Sequence, residues 1–233
     1  MCKEKSPGEL LAEELFYRTK DAGEELESAE LARADAFCEE YKTFLNHAKI
    51  EREAVRTTVE MLEKAGYTAF DPDRGYQPGE RIYRNVRGKA LILATIGTED
   101  LEKGVRMVIS HIDSPRLDLK PNPLYEDGGL ALFKTHYYGG VKKYQWTALP
   151  LALHGTVVRK DGTTLNVAIG EEPGDPVFCV TDLLPHLAKD QMVKPMTEGI
   201  RGEQLNVVVG SRPYQDEKVK EKVKLNVLSL LHE

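Results

Sequence analysis

The stretch that most constrains this chain is Val105 to Pro115, VRMVISHIDSP. Its first five residues, Val105 to Ile109, are mostly apolar and include three β-branched side chains, the pattern of a strand buried on both faces of a parallel sheet. Ser110, His111, Ile112, Asp113 and Ser114 follow, and Pro115 ends regular pairing. In open α/β sheets ligands bind beyond the carboxyl ends of the strands. The order therefore predicts an imidazole and a carboxylate at such a rim. Two residues apart, they can act as a metal ligand and the group that orients it, since metal-bound His usually gives its second ring N–H to a carboxylate or carbonyl. His-x-Asp is common by chance, and a core histidine bonded to backbone is the plain alternative for His111.

The 233 residues suffice for one large domain or two small ones. No apolar run approaches the roughly 18 residues that span a bilayer; Leu91 to Ile96 has strand length. The N-terminus, MCKEKSPGEL, lacks the apolar segment of a secretory signal, so the expected location is cytoplasmic, without a membrane partner. The net charge of −6 is uneven: residues 1–64 hold 16 acidic and 10 basic side chains, and the remainder holds 22 of each. A nucleic-acid surface needs a basic stripe, and none is present. Cys2, Cys38 and Cys179 form no C-x-x-C pair, and the last two read as small core residues.

Gly8 to Lys20 and Ser28 to Ala65 read as helices, with a break near Asn46 and His47. Leu31, Ala34, Phe37, Cys38, Tyr41, Phe44 and Leu45 share one apolar face, and a further helix ends at Gly66. Strands are predicted at Tyr67 to Phe70, Arg81 to Val86 and Lys89 to Ile96, the last two joined by a hairpin at Arg87 and Gly88. Helices leading into a sheet that carries the motif suggest an α/β layer architecture. After Pro115, prolines and glycines punctuate short strands. Leu151 to Val158 pairs with Thr163 to Ile169, and Val177 to Val180 and Leu205 to Val209 are further strands. Asp182 caps a predicted short helix holding Leu183, Leu184, His186 and Leu187. Asp216 to Leu231 is a last helix, whose apolar stripe leads us to expect that the fold continues past it.

The run SHIDSPRLDLKPNPLYEDGGLALFKTHYYGGVKKYQWTALPLALHG, with GEEPGDPVF and LLPHLAKDQM further on, resembles the aspartyl aminopeptidase, or aminopeptidase I, family of zinc peptidases over most of the chain. Members are about twice this length. They are α/β zinc peptidases with a β-rich dimerisation domain inserted after the first metal-ligand motif, and they assemble into tetrahedral dodecamers. The resemblance implies that residues 1–117 begin the catalytic α/β domain, with helices and a mixed sheet, and that 118–233 form most of the β-rich insertion. His111 matches the first zinc ligand and Asp113 the carboxylate that positions it. His186 matches the histidine that the insertion contributes to a neighbouring subunit's substrate site. The other members of the site, a bridging Asp, paired Glu residues, another Asp and a last His, would lie beyond Glu233. Glu171 and Glu172 match a loop of the insertion and read as solvated. His136 and His154 read as packing residues.

The implied chemistry is removal of an N-terminal residue from a peptide, with two zinc ions polarising the scissile carbonyl and lowering the pKa of a water that a glutamate deprotonates. Zinc takes about four ligands, and this sequence offers one. The expectation is therefore weak zinc binding and little hydrolysis by the chain alone. It is then the N-terminal part of a homo-oligomeric peptidase, one half of a split enzyme completed by a separate C-terminal half, or a non-catalytic subunit that joins complete peptidases.

Overall fold

The structure, a computed structural model, describes residues 5–17 and 19–232. It divides into two units at His47 and Ala48. Cys2 lies outside the described residues.

In the first unit, Ser6 opens helix α1 (Pro7–Leu15) with a capping box. The Ser6 hydroxyl accepts the Glu9 N–H at 3.2 Å, and the Glu9 carboxylate accepts the Ser6 N–H at 2.6 Å. The chain is extended at Phe16, so α1 stops short of the predicted Lys20. Helix α2 (Ala22–Glu25) is a single turn, and α3 (Ser28–His47) runs 20 residues to the predicted break. No residue of α1, α2 or α3 is buried. Phe37 is 68% exposed, and Cys38 is exposed rather than in a core. An apolar stripe is buried only where another apolar surface packs on it, and the described residues of this unit bury none of α3.

The second unit begins with α4 (Glu51–Lys64), which ends at Gly66 in the left-handed region, φ 82°, as predicted. Strands β1 (Thr68–Ala69), β2 (Arg81–Val86) and β3 (Ala90–Thr95) form a mixed sheet in that order, β1 parallel and β3 antiparallel to β2. The hairpin turns at Arg87 and Gly88, both at positive φ, where Lys89 N–H closes on the Val86 carbonyl at 3.1 Å. Helix α4 covers this sheet, burying Ala54, Val55 and Leu62, with Ile82 and Tyr83 buried on β2.

Val105 to Ile109 is not a strand. It has no regular structure and is exposed, Val108 to 99%. A strand buried on both faces exists only with strands beside it and layers above and below, and none of the described residues pairs with this segment.

Where short strands were expected, β4 (Arg116–Asp127) and β5 (Leu130–Tyr138) form one long antiparallel hairpin around Gly128 and Gly129. Its register shifts between Leu119 and Leu124, where Pro121 and Pro123 sit in an irregularity that needs no ladder N–H from them. Strands β6 (Leu153–Val158) and β7 (Thr164–Ile169) make a separate hairpin with the predicted pairing. Strands β8 (Cys179–Val180) and β9 (Val207–Gly210) complete a four-stranded sheet ordered β4-β5-β9-β8. Val180, Ile200, Leu205 and Val207 centre its core, with Phe133, Trp146 and Phe178 packed around them.

The predicted helix at residues 183–187 is a turn; helical turns α5 (Lys189–Met192) and α6 (Met196–Gly199) come later. The last helix, α7 (Lys222–His232), starts six residues after the predicted Asp216. It begins where the Glu126 carboxylate of β4 accepts the N–H groups of Val223 and Lys224, each at 2.9 Å. That carboxylate fixes where the first turn can form.

Candidate functional site

His111 and Asp113 lie on the irregular segment that enters β4. His111 Nδ1 is 2.9 Å from the Asp113 backbone oxygen and 3.2 Å from its Oδ1, so with the proton on Nδ1 the ring donates to Asp113 and turns Nε2 outward. The imidazole is 84% exposed. The other carboxylate oxygen, Oδ2, accepts the Tyr138 hydroxyl at 2.6 Å. That contact holds the Asp113 carboxyl below the usual carboxylate range and pushes the Tyr138 phenol above its usual value. A cavity of about 410 Å³ opens here, with Glu51, Lys89 and Ser110 in its wall beside His111, Asp113 and Tyr138. A larger cavity of about 720 Å³ shares Glu51, Lys89 and Arg116 with it.

His186 does not line the cavity beside His111. It sits on the exposed turn after Asp182, whose carboxylate accepts the Leu183 N–H at 2.8 Å, the Gln191 side chain at 3.1 Å and the Thr147 hydroxyl at 3.3 Å. Those bonds, Gln191 foremost, hold the Asp182 carboxyl low and pin the base of the turn. Asp182 thus anchors a turn where a helix cap was predicted.

Glu171 is not simply solvated. His154 on β6 has Nδ1 at 2.9 Å from Glu53 Oε1 on α4 and Nε2 at 2.9 Å from Glu171 Oε1. The three residues are 17 and 101 positions apart in pairs, and no local pattern in the sequence joins them.

An imidazole held by a carboxylate, with a nitrogen left for a ligand, has the chemistry of one arm of a metal site. It stands on the segment between the β1–β3 sheet and the β4–β5 hairpin. Residues 44–233 match the family described as aminopeptidase I zinc metalloprotease (M18). A probable M18 family aminopeptidase 1 of Clostridium acetobutylicum is 45% identical over 224 residues, covering 94% of this chain and 48% of that protein. The crystal structure of an M18 aminopeptidase from Thermotoga maritima superposes with a TM-score of 0.84 at 41% identity, over 93% of this chain and 47% of that one. A yeast mApe1 dodecamer shares the fold, at TM-score 0.59 and 21% identity, over 85% of this chain and 44% of that one. The chain belongs to the aminopeptidase I, or M18, family of zinc metalloproteases. It spans about half the length of the curated relatives it matches.

The outward Nε2 of His111 has the donor chemistry of a ligand for the zinc that this family name implies. Among the described residues, no group of three or more His, Cys, Asp or Glu side chains is placed to hold a metal ion.

Proposed function

We propose that this chain supplies the N-terminal part of a zinc-dependent aminopeptidase that removes N-terminal residues from peptides. His111 is a zinc ligand, Asp113 the carboxylate that orients it, and His186 a substrate-binding residue offered to a neighbouring copy. The observation that carries the reading is the His111 geometry, Nδ1 occupied by Asp113 and Nε2 unpartnered among the described residues, in a chain of zinc-metalloprotease family. In a complete site His111 would be among the residues that hold zinc, and the bound metal would supply polarisation of the scissile carbonyl and a water of lowered pKa. This chain's own residues do the preparatory part: Asp113 keeps the proton on Nδ1, and Asp182 holds the turn that bears His186.

Residues 118–233 serve as the dimerisation insertion of a cytoplasmic homo-oligomer. The dodecamer described for the yeast protein supports this reading, as do the exposed Val157, Val158 and Leu165 of the β6–β7 hairpin. A second reading, in which another chain completes the site, is favoured by Val105 to Ile109, an apolar segment of strand composition that is exposed and pairs with no strand among the described residues.

One experiment tests the proposal and separates the two forms. The dialysed chain is assayed for zinc content and for hydrolysis of aminoacyl substrates, alone and mixed with a polypeptide spanning the second half of the Clostridium acetobutylicum relative. Neither stoichiometric zinc nor turnover is expected from the chain alone. Both appear on mixing and disappear with His111→Ala. Firmly held zinc and full turnover in the unmixed chain overturn the incomplete-site reading.

A further inference from the structure

The β1–β3 sheet has two edges, and they are finished differently. At one edge β1 is two residues long, a short strand that offers little backbone for pairing. At the other edge β3 is six residues long, pairs with β2 on one side and, among the described residues, with no strand on the other. Its sequence, ALILAT, holds no charge and no proline, and its register with β2 runs from Arg81↔Thr95 to Val86↔Ala90 without a bulge. Charges, prolines and bulges keep natural edge strands from pairing. β3 has none of them.

The residue after β3 fixes the direction of its backbone groups. Ile96 donates its N–H to the Glu80 carbonyl at 2.9 Å, and its own carbonyl accepts the Gly79 N–H at 2.8 Å. In an antiparallel pair alternate residues direct both groups to the same neighbour. Ala94, Ile92 and Ala90 therefore face β2, and the N–H and C=O groups of Leu91, Leu93 and Thr95 face the free edge. The side chains agree with the backbone. Leu93 stands opposite Tyr83, whose phenol reaches Glu63 on α4, so Leu91 and Leu93 share the face that the helix covers. The cover stops short of the edge, since Leu93 is still 46% exposed. Ile92, on the opposite face, is 61% exposed. Apolar side chains on both faces are the composition of an interior strand.

We propose that the outer edge of β3 is the docking strand for a complementing C-terminal half, which adds a strand through the backbone of Leu91, Leu93 and Thr95 and covers Ile92 and Leu93. The inference rests on the reading in which another chain completes the site, and it names the surface that receives that chain. Length argues for this occupant. The Thermotoga maritima aminopeptidase superposes on 93% of this chain with 47% of its own, so more than half of that protein is chain that this sheet does not contain. A second copy of this chain is the competing occupant.

Amide hydrogen exchange reads the edge directly, in the native chain alone and mixed with a polypeptide spanning the second half of the Clostridium acetobutylicum relative. Alone, Leu91, Leu93 and Thr95 are expected to exchange fast, while Ile92 and Ala94 are protected by β2. On mixing, the three fast amides slow on the order of tenfold or more, as amides bonded within a sheet do. Leu93→Pro removes one outward donor and leaves the bonds to β2, so the variant alone keeps a native spectrum. Sedimentation of the mixtures is expected to show binding weakened on the order of tenfold relative to Leu93→Ala, which loses the same side chain and keeps the N–H. A complex that forms while Leu91, Leu93 and Thr95 stay fast overturns the proposal and leaves the complemented-site reading standing. Equal affinity of the proline and alanine variants overturns it as well. Absence of any complex overturns both. Slow exchange at the three amides in the unmixed chain, increasing with its concentration, assigns the edge to a second copy and overturns the proposal. If Leu93→Pro does not fold, the exchange of the native chain decides by itself.

Discussion

At the scale of single residues, the Glu53–His154–Glu171 clamp is a polar contact outside the candidate site. The side chains of His154 and Glu53 are each 11% exposed, whereas that of Glu171 is 39% exposed. Glu53 divides its carboxylate, one oxygen facing His154 and the other accepting the Lys49 N–H at 3.0 Å. Removing the imidazole leaves a buried carboxylate oxygen without its partner, and that penalty exceeds the worth of the bond itself. His154→Ala is expected to destabilise the fold by about 2–3 kcal/mol. Glu171→Gln, at the wetter end, changes stability by less than about 1 kcal/mol. Denaturant unfolding of both variants checks the order; equal effects would show that burial does not decide it.

At the scale of elements, two helices are each attached to a sheet by a hydrogen-bonded carboxylate. Glu126 of β4 closes the N-terminus of α7, and Gly210 on β9 lets that helix come close: a Cβ there would stand 2.7 Å from Val227 Cγ2. Glu126→Ala is expected to lower stability by about 1–2 kcal/mol. It should also speed hydrogen exchange at Val223 and Lys224 before the rest of the fold responds. On the other sheet, the Tyr83 phenol of β2 donates to Glu63 of α4 at 2.7 Å, which raises its ionisation above the usual 10.0. The sign follows from linkage: folded Tyr83 keeps its proton to higher pH than the unfolded chain does, so the contribution is complete below pH 10 and is lost as pH rises through the folded value. Unfolding measured across the alkaline range should show a decline that Tyr83→Phe lacks. Parallel declines in both proteins would exclude Tyr83 as its source.

At the scale of the whole molecule, the proposal requires assembly. The exposed Val157, Val158 and Leu165 on one hairpin, and Leu183, Leu184 and Leu187 around His186, are apolar surface that self-association would bury. Sedimentation over a range of concentrations is expected to show dimers or larger species; a strictly monomeric, folded chain counts against a dimerisation insertion. If His186 acts in a neighbour's site, its loss is complemented in trans. In a reconstituted enzyme, His186→Ala and His111→Ala should each lose on the order of a hundredfold in turnover and recover part of it in mixed oligomers. Normal turnover by His186→Ala returns that histidine to the surface of its turn.

Sequence alone determined what depends on neighbours along the chain. Arg87–Gly88 turns the β2–β3 hairpin and Lys160, Asp161 and Gly162 the β6–β7 hairpin, because short turns set the register of the strands they join. Gly66 ends α4 because a residue without Cβ enters the left-handed region without penalty. His111 and Asp113, two residues apart, meet through a local contact, so their pairing was readable before any fold was known. The tertiary structure decided the rest. Val105 to Ile109 has the composition of a buried strand and lacks neighbours to make it one, since strand formation needs a partner that composition does not supply. Glu126 shortened α7, Asp182 anchored a turn where a helix was predicted, and His154 joined Glu53 to Glu171. Tyr138 reached Asp113 across 25 residues. Each of these rests on a hydrogen-bonding group brought in from another element, and its placement exists only once the sheets and helices have packed.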